Sequence, residues 1–245
     1  YLRLWSRREL SVALIEKDAS YTSNIMSNEV ITGKRASVTS LTYDYTGLVG
    51  KYGVTRIQGT VTTIDPVNKT VTYATASGNV VATYDRLVLA PGIDFMYDSL
   101  PGLDNAAAQE TILHAWKAGA QTLALRKQLE AMPDGGIYAL CVPKAPYRCP
   151  PGPYERASLV AWYFKQNKPR SKVLILDANE DIVSKKGLFM KAWADAYAGI
   201  IEYRAQSELR DVDVANRTAI LEFDKVKADV LNVVPPQRAG SIALQ

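Results

Sequence analysis

The sequence predicts an α/β fold built from two nucleotide-fold-like units. Two apolar runs that each end in an acid, residues 11–16 (SVALIE) and 172–177 (KVLILD), read as buried parallel strands. Helical periodicity alternates with such runs along the chain, the pattern of a parallel sheet covered by helices. Composition agrees, with 47% hydrophobic and 22% charged residues in a chain of 245, ordinary for globular proteins and wrong for disordered ones.

The elements follow in order. Residues 1–8 read as the last turns of a helix, ahead of the first acid-ended strand. Residues 54–61 are β-rich. Residues 69–73 and 79–84 flank Ser77-Gly78 and predict a hairpin. Residues 86–90 (RLVLA) predict a short buried strand stopped by Pro91-Gly92. Apolar spacing from 106 to 132 is helical, and the PDGG sequence at 133–136 ends it. Residues 137–142 predict a strand, 143–153 a proline-rich loop, and 154–166 a helix with Pro153 suited to its first position. After the second acid-ended strand, 188–197 reads as a helix and 217–223 and 227–234 as strands. We divide the chain at 1–120, 121–231 and 232–245: a nucleotide-binding domain, a second such domain, and a return to the first. Both ends read as cuts, because the chain opens without Met and closes without a terminating feature.

Charge excludes some functions. The net charge is +4 and no basic run exceeds two residues, which supports neither nucleic acid nor a membrane surface. No apolar stretch approaches the roughly 20 residues that span a bilayer. Two cysteines and one histidine are too few for a structural zinc site, and no metal site is expected. His114 reads as a packed helix residue, since no nucleophile elbow accompanies it.

Glu16 stands where a nucleotide fold places the acid that binds the adenosine ribose. Asp177 is its echo in the second unit, but the loop before it argues against a nucleotide. Residues 143–153 (PKAPYRCPPGP) hold five prolines in eleven residues, and proline lacks the N–H that a phosphate cradle needs. Such a loop is suited to holding one side chain rigidly, and Cys149 is in its middle. Arg148 and the following helix N-terminus both favour a thiolate. Two readings of Cys149 stay open on these grounds, a reactive sulfur and a small buried hydrophobe. Cys141, inside an apolar strand, reads as inert core.

Five segments together resemble the flavoprotein subunit of flavocytochrome c sulfide dehydrogenase: residues 21–33 (YTSNIMSNEVITG), 84–93 (YDRLVLAPGI), 114–119 (HAWKAG), 145–158 (APYRCPPGPYERAS) and 227–240 (KADVLNVVPPQRAG). The resemblance implies two Rossmann-like domains of the flavin disulfide reductase kind, carrying FAD. It implies that Cys149 is one half of a redox-active disulfide whose second cysteine lies beyond Gln245. Glu16 matches the ribose-binding acid, Thr60-Val61 the strand passing the adenine, Ala90-Pro91-Gly92 the crossing near the flavin, and Gln237-Arg238 the segment returning to the flavin domain. Ser27-Asn28 match a conserved pair in this family, and the position three residues before Ser27, often a cysteine joined to FAD, is Asn24. An amide forms no thioether, so FAD is expected to bind non-covalently. The implied reaction oxidises hydrosulfide to sulfur or polysulfide and hands electrons to a haem-containing cytochrome c subunit in the periplasm. The rival readings are a sulfide:quinone oxidoreductase, an NAD(P)H-dependent flavin disulfide reductase and a non-enzymatic cytochrome-binding protein.

Overall fold

The structure, a computed structural model, describes residues 1–245. The chain forms two compact units. Tyr1–Ser23, Thr42–Asp94 and Ala239–Gln245 make the first, and Asn24–Leu41 with Phe95–Arg238 the second. No helix is long and apolar enough to cross a membrane.

In the first unit Ala13–Glu16 pairs in parallel with Thr55–Gln58, setting Glu16 opposite Gln58. Thr60–Asp65, Thr70–Thr75 and Gly78–Thr83 form an antiparallel sheet in that order. The expected hairpin is present, and Gly78 has φ 117°, a conformation side chains disfavour. Residues 86–90 depart from expectation. They are neither a strand nor buried, with Val88 79% exposed. A run becomes a strand only when a neighbour completes its ladder, and no strand pairs with this one. Its residues line a cavity instead.

The second unit holds a four-stranded parallel sheet. Its order is Ile201–Arg204, Lys172–Asp177, Ile137–Val142, Val230–Val233, so Ile137–Val142 is interior and flanked on both sides. Alternate side chains feed two cores. Tyr138, Leu140, Val173, Ile175 and Val230 pack with Leu125, Leu129, Val160 and Phe164 of the helices Ala120–Ala131 and Gly152–Asn167. Ala139, Cys141, Leu174, Leu176, Leu231 and Val233 pack on the other face against Val212, Ala219 and Val226. Those three come from an antiparallel sheet of Leu209–Asp213, Thr218–Leu221 and Lys225–Lys227. Burial on both faces explains why the strands read as continuous apolar runs. Each fully buried Leu, Ile or Phe contributes roughly 1.5–3 kcal/mol.

Two expectations are corrected here. The helix expected over 106–132 is two helices, Ala106–Thr111 and Ala120–Ala131. Between them the Gln121 side-chain oxygen accepts the N–H groups of His114 (3.1 Å) and Ala115 (3.0 Å), and Ala115 has φ 45°. These bonds replace the helical ladder. His114 is therefore buried in the loop between the two helices. Its Nδ1 accepts the Trp116 N–H at 2.7 Å, and burial, then Arg156, Lys117 and Arg148, push its pKa down to about 3. The run 227–234 is likewise split, into Lys225–Lys227 and Val230–Val233. Asp229 interrupts it by accepting the Ile137 N–H at 2.8 Å.

Candidate functional site

The first unit brings together five residues that lie far apart in sequence. Glu16, Thr60, Val61, Ala90 and Pro91 line one cavity of about 410 Å³, with Gly92 next in the chain. Gly240 closes against it: a Cβ there would stand 2.9 Å from the Pro91 carbonyl oxygen. An apolar wall (Leu87, Val88, Leu89, Ile242) with an acid at the end of a parallel strand suits an adenosine group.

The second unit holds the cysteine loop. It leaves the C-terminal end of Ile137–Val142 and enters the helix Gly152–Asn167. Ligand crevices of open α/β sheets lie at such strand ends. Cys149 is exposed and has φ 63°, a region that non-glycine residues enter rarely and that often marks functional positions. Several contacts hold the loop. The Trp116 indole donates to the Arg148 carbonyl (3.1 Å), the Arg148 guanidinium donates to the Trp116 carbonyl, and the Gln237 side chain accepts the Arg148 N–H (3.0 Å). Gly152 is required sterically. A Cβ there would meet the Trp116 ring at 2.8 Å and the Cys149 sulfur at 3.1 Å.

The expected thiolate stabilisation at Cys149 is not what the surroundings provide. The residue is exposed but its sulfur is half-buried; that burial raises the pKa, Glu155 raises it further, and the Gly152 N–H, Arg148 and Arg156 lower it. Burial is the largest of these effects, and the Arg148 guanidinium also donates to the Trp116 carbonyl. Glu155, in the first turn of the helix, is a site residue that the sequence reading passed over; its i, i+6 spacing from Cys149 shows no proximity until the loop turns. Cys141 is 2% exposed, and burial pushes its thiol up to about 12, as suits inert core.

Asn24, Ser27 and Asn28 also belong to this unit, at the start of the helix Ser27–Ile31. Ser27 Oγ donates to the Asn24 carbonyl (2.8 Å) and side-chain oxygen (3.2 Å). Gln237 Nε2 is buried with no partner. A buried donor left unmade is costly, and an acceptor group seated beside the cysteine loop would satisfy it. Within the first unit, the cavity at Glu16, Thr60, Val61, Ala90 and Pro91 fits the adenosine end of a flavin nucleotide. Arg238 is exposed.

Asp177 is closed off by its own unit. Its Oδ2 accepts the hydroxyls of Tyr154 (2.7 Å) and Tyr203 (3.1 Å), and its Oδ1 accepts the backbone and side-chain N–H of Asn179 (2.9 and 2.7 Å). The carboxylate is 0% exposed, so the acid that a dinucleotide fold offers to a ribose is fully used inside the protein.

The second unit is thus an open parallel α/β sheet with a stiff cysteine loop at its strand ends. Among solved structures, the chain superposes on a sulfide:quinone oxidoreductase from the hyperthermophilic bacterium Aquifex aeolicus with TM-score 0.78 and 18% identity, over 99% of this chain and 56% of that one. It superposes on an NAD-dependent persulfide reductase from A. fulgidus with TM-score 0.70 and 14% identity, over 99% and 45%. A water-forming NADH oxidase from Lactobacillus brevis gives 0.67 and 17%, over 94% and 49%. The chain thus spans about half the length of these proteins. Residues 122–235 match the family described as the sulfide dehydrogenase [flavocytochrome c] flavoprotein chain, central.

Proposed function

We propose that the chain is the body of a flavoprotein sulfide dehydrogenase. In this reading it oxidises hydrosulfide through a disulfide involving Cys149, with FAD bound non-covalently and a periplasmic cytochrome c subunit as electron acceptor. The observation that carries it is the exposed Cys149, held at positive φ on a proline-stiffened loop at the end of an interior parallel strand, inside the segment that matches the family.

The proposed exchange needs no histidine base, because hydrosulfide is already anionic near neutral pH. It attacks the Cys149 sulfur. The S–S bond breaks, the partner cysteine leaves as thiolate, and Cys149 keeps the persulfide. The direction of attack follows from electrostatics. A thiol whose pKa is raised by burial and Glu155 is a poor leaving group, so it is better suited to carry sulfur than to depart. The disulfide is the oxidant in this exchange, and a bound flavin would take up the two electrons released when the disulfide is re-formed. Glu16, Thr60, Val61, Ala90 and Pro91 would hold the flavin's adenosine end. The test is sulfide-dependent bleaching of the flavin in the full-length protein, followed by reduction of added cytochrome c. Bleaching that passes electrons to a quinone and not to cytochrome c would favour the quinone oxidoreductase reading.

Two expected outcomes follow. Because Asn24 occupies the position of the linking cysteine, acid precipitation of the full-length protein should leave yellow FAD in the supernatant; colour that stays with the pellet would overturn non-covalent binding. Because Asp177 is consumed by Tyr154, Tyr203 and Asn179, NADH and NADPH should reduce the flavin at least about 100-fold more slowly than sulfide, a loss of the size expected when a polar ligand group meets no partner. Rapid, saturable reduction by either nucleotide in stopped flow would replace this reading with the flavin reductase.

A further inference from the structure

The second unit buries one full positive charge without an acid beside it. Arg156 is 1% exposed. Its Nε donates to Asn28 Oδ1 (2.9 Å), one terminal nitrogen to the His114 carbonyl (2.7 Å) and Asn232 Oδ1 (2.8 Å), and the other to the Ala115 carbonyl (2.6 Å). None of these acceptors is a carboxylate. A buried guanidinium is ordinarily paired, since hydrogen bonds satisfy its donors and leave its charge uncompensated.

The position of this charge suggests its partner. Arg156 is in the second turn of the helix Gly152–Asn167, which begins three residues after Cys149. Its guanidinium carbon lies 5.0 Å from the centre of the Trp116 ring. The same ring packs on Gly152, next to the Cys149 sulfur. The Trp116 ring thus has the Arg156 cation against it and, at Gly152, the neighbourhood of the Cys149 sulfur.

Resting on the reading of Cys149 given above, we infer that Arg156 is the buried counter-charge for an anionic sulfur at Cys149, and is a positioning residue for the reaction. Other charged or titratable groups also face that sulfur. Glu155 opposes an anion, Arg148 favours one, and Tyr147 lies in the same loop. Those facing Arg156 are Tyr138, His114 and the cysteine itself. Tyr138 and His114 are buried and neutral, so neither balances the cation. Glu155 is exposed to solvent and opposes an anion at the sulfur, whereas Arg156 is buried against the Trp116 ring and is the cation left without a carboxylate partner.

The inference is tested without sulfide or electron transfer. Full-length protein, reduced and freed of reductant, is alkylated with iodoacetamide across a range of pH, and the Cys149 peptide is followed by mass spectrometry. In Arg156→Met the alkylation profile should move to higher pH, with the rate at a fixed pH below the midpoint falling about tenfold. Arg156→Lys, which keeps charge and loses the fork, should stay near wild type. Asn28→Asp is close to isosteric. It keeps Arg156 in place and pairs its charge with a carboxylate, so it should shift the profile in the same direction as Arg156→Met. It therefore decides the matter even where Arg156→Met folds poorly. Profiles of Asn28→Asp and Arg156→Met that superimpose on wild type would overturn the inference. They would leave the sulfide reading untouched, because that reading is judged by flavin bleaching.

Discussion

In the full-length protein, Cys149→Ser is expected to fold, retain FAD and lose sulfide-dependent flavin reduction by about three orders of magnitude or more, the scale seen when a covalent catalyst's nucleophile is removed. The substitution changes one atom on an exposed loop, and the two cores contain no atom of this residue. The hydrogen bonds that hold the loop come from Arg148, Trp116 and Gln237 and do not involve the sulfur. What disappears is the disulfide and the only sulfur able to carry a persulfide on this loop. Cys141→Ser is the control. It puts a hydroxyl into a strand that is 2% exposed at this position, which should cost roughly 1–3 kcal/mol of stability and leave the chemistry in place. Stopped-flow bleaching by sulfide separates the two. Near-wild-type reduction in Cys149→Ser, with loss in Cys141→Ser, would assign the chemistry to the other cysteine.

Asp177→Ala should destabilise the protein by about 3 kcal/mol, a roughly 100-fold change in the folding equilibrium. The carboxylate accepts four hydrogen bonds at 0% exposure, and Ala removes the acceptor of two phenols, of the Asn179 backbone N–H and of one Asn179 side-chain N–H. The damage should spread to the cysteine loop. Asn179 donates to the Pro143 carbonyl (3.0 Å) and accepts the Ala145 N–H (2.9 Å), so Asp177 orients the residue that anchors the loop's beginning. Chemical denaturation monitored by tryptophan fluorescence gives the size of the effect. Asp177→Asn keeps one acceptor and should lose less. A midpoint in Asp177→Ala within about 0.5 kcal/mol of wild type, the range of an ordinary surface substitution, would mean that the network is solvated and the acid available to a ligand.

Much of this protein was legible from residue order alone. The parallel strands Ala13–Glu16, Ile137–Val142 and Lys172–Asp177 were legible because strands buried on both faces must be apolar throughout. The cysteine loop was legible because five prolines exclude a phosphate cradle whatever the surroundings. Other features needed the tertiary structure. The helix expected over 106–132 is broken by a side chain, Gln121, that caps backbone groups six and seven residues earlier, a competition that periodicity does not register. Residues 86–90 have strand composition but no strand partner, and pairing is a property of the neighbours. The sign of the shift at Cys149 went the same way. Arg148 precedes it in sequence, yet the side chain turns to the Trp116 carbonyl, and burial with Glu155 decides the balance. Sequence determines which charges are available near a sulfur. Distance and burial decide which of them it feels, because electrostatic energy depends on separation and dielectric, and both are set only when the chain has folded.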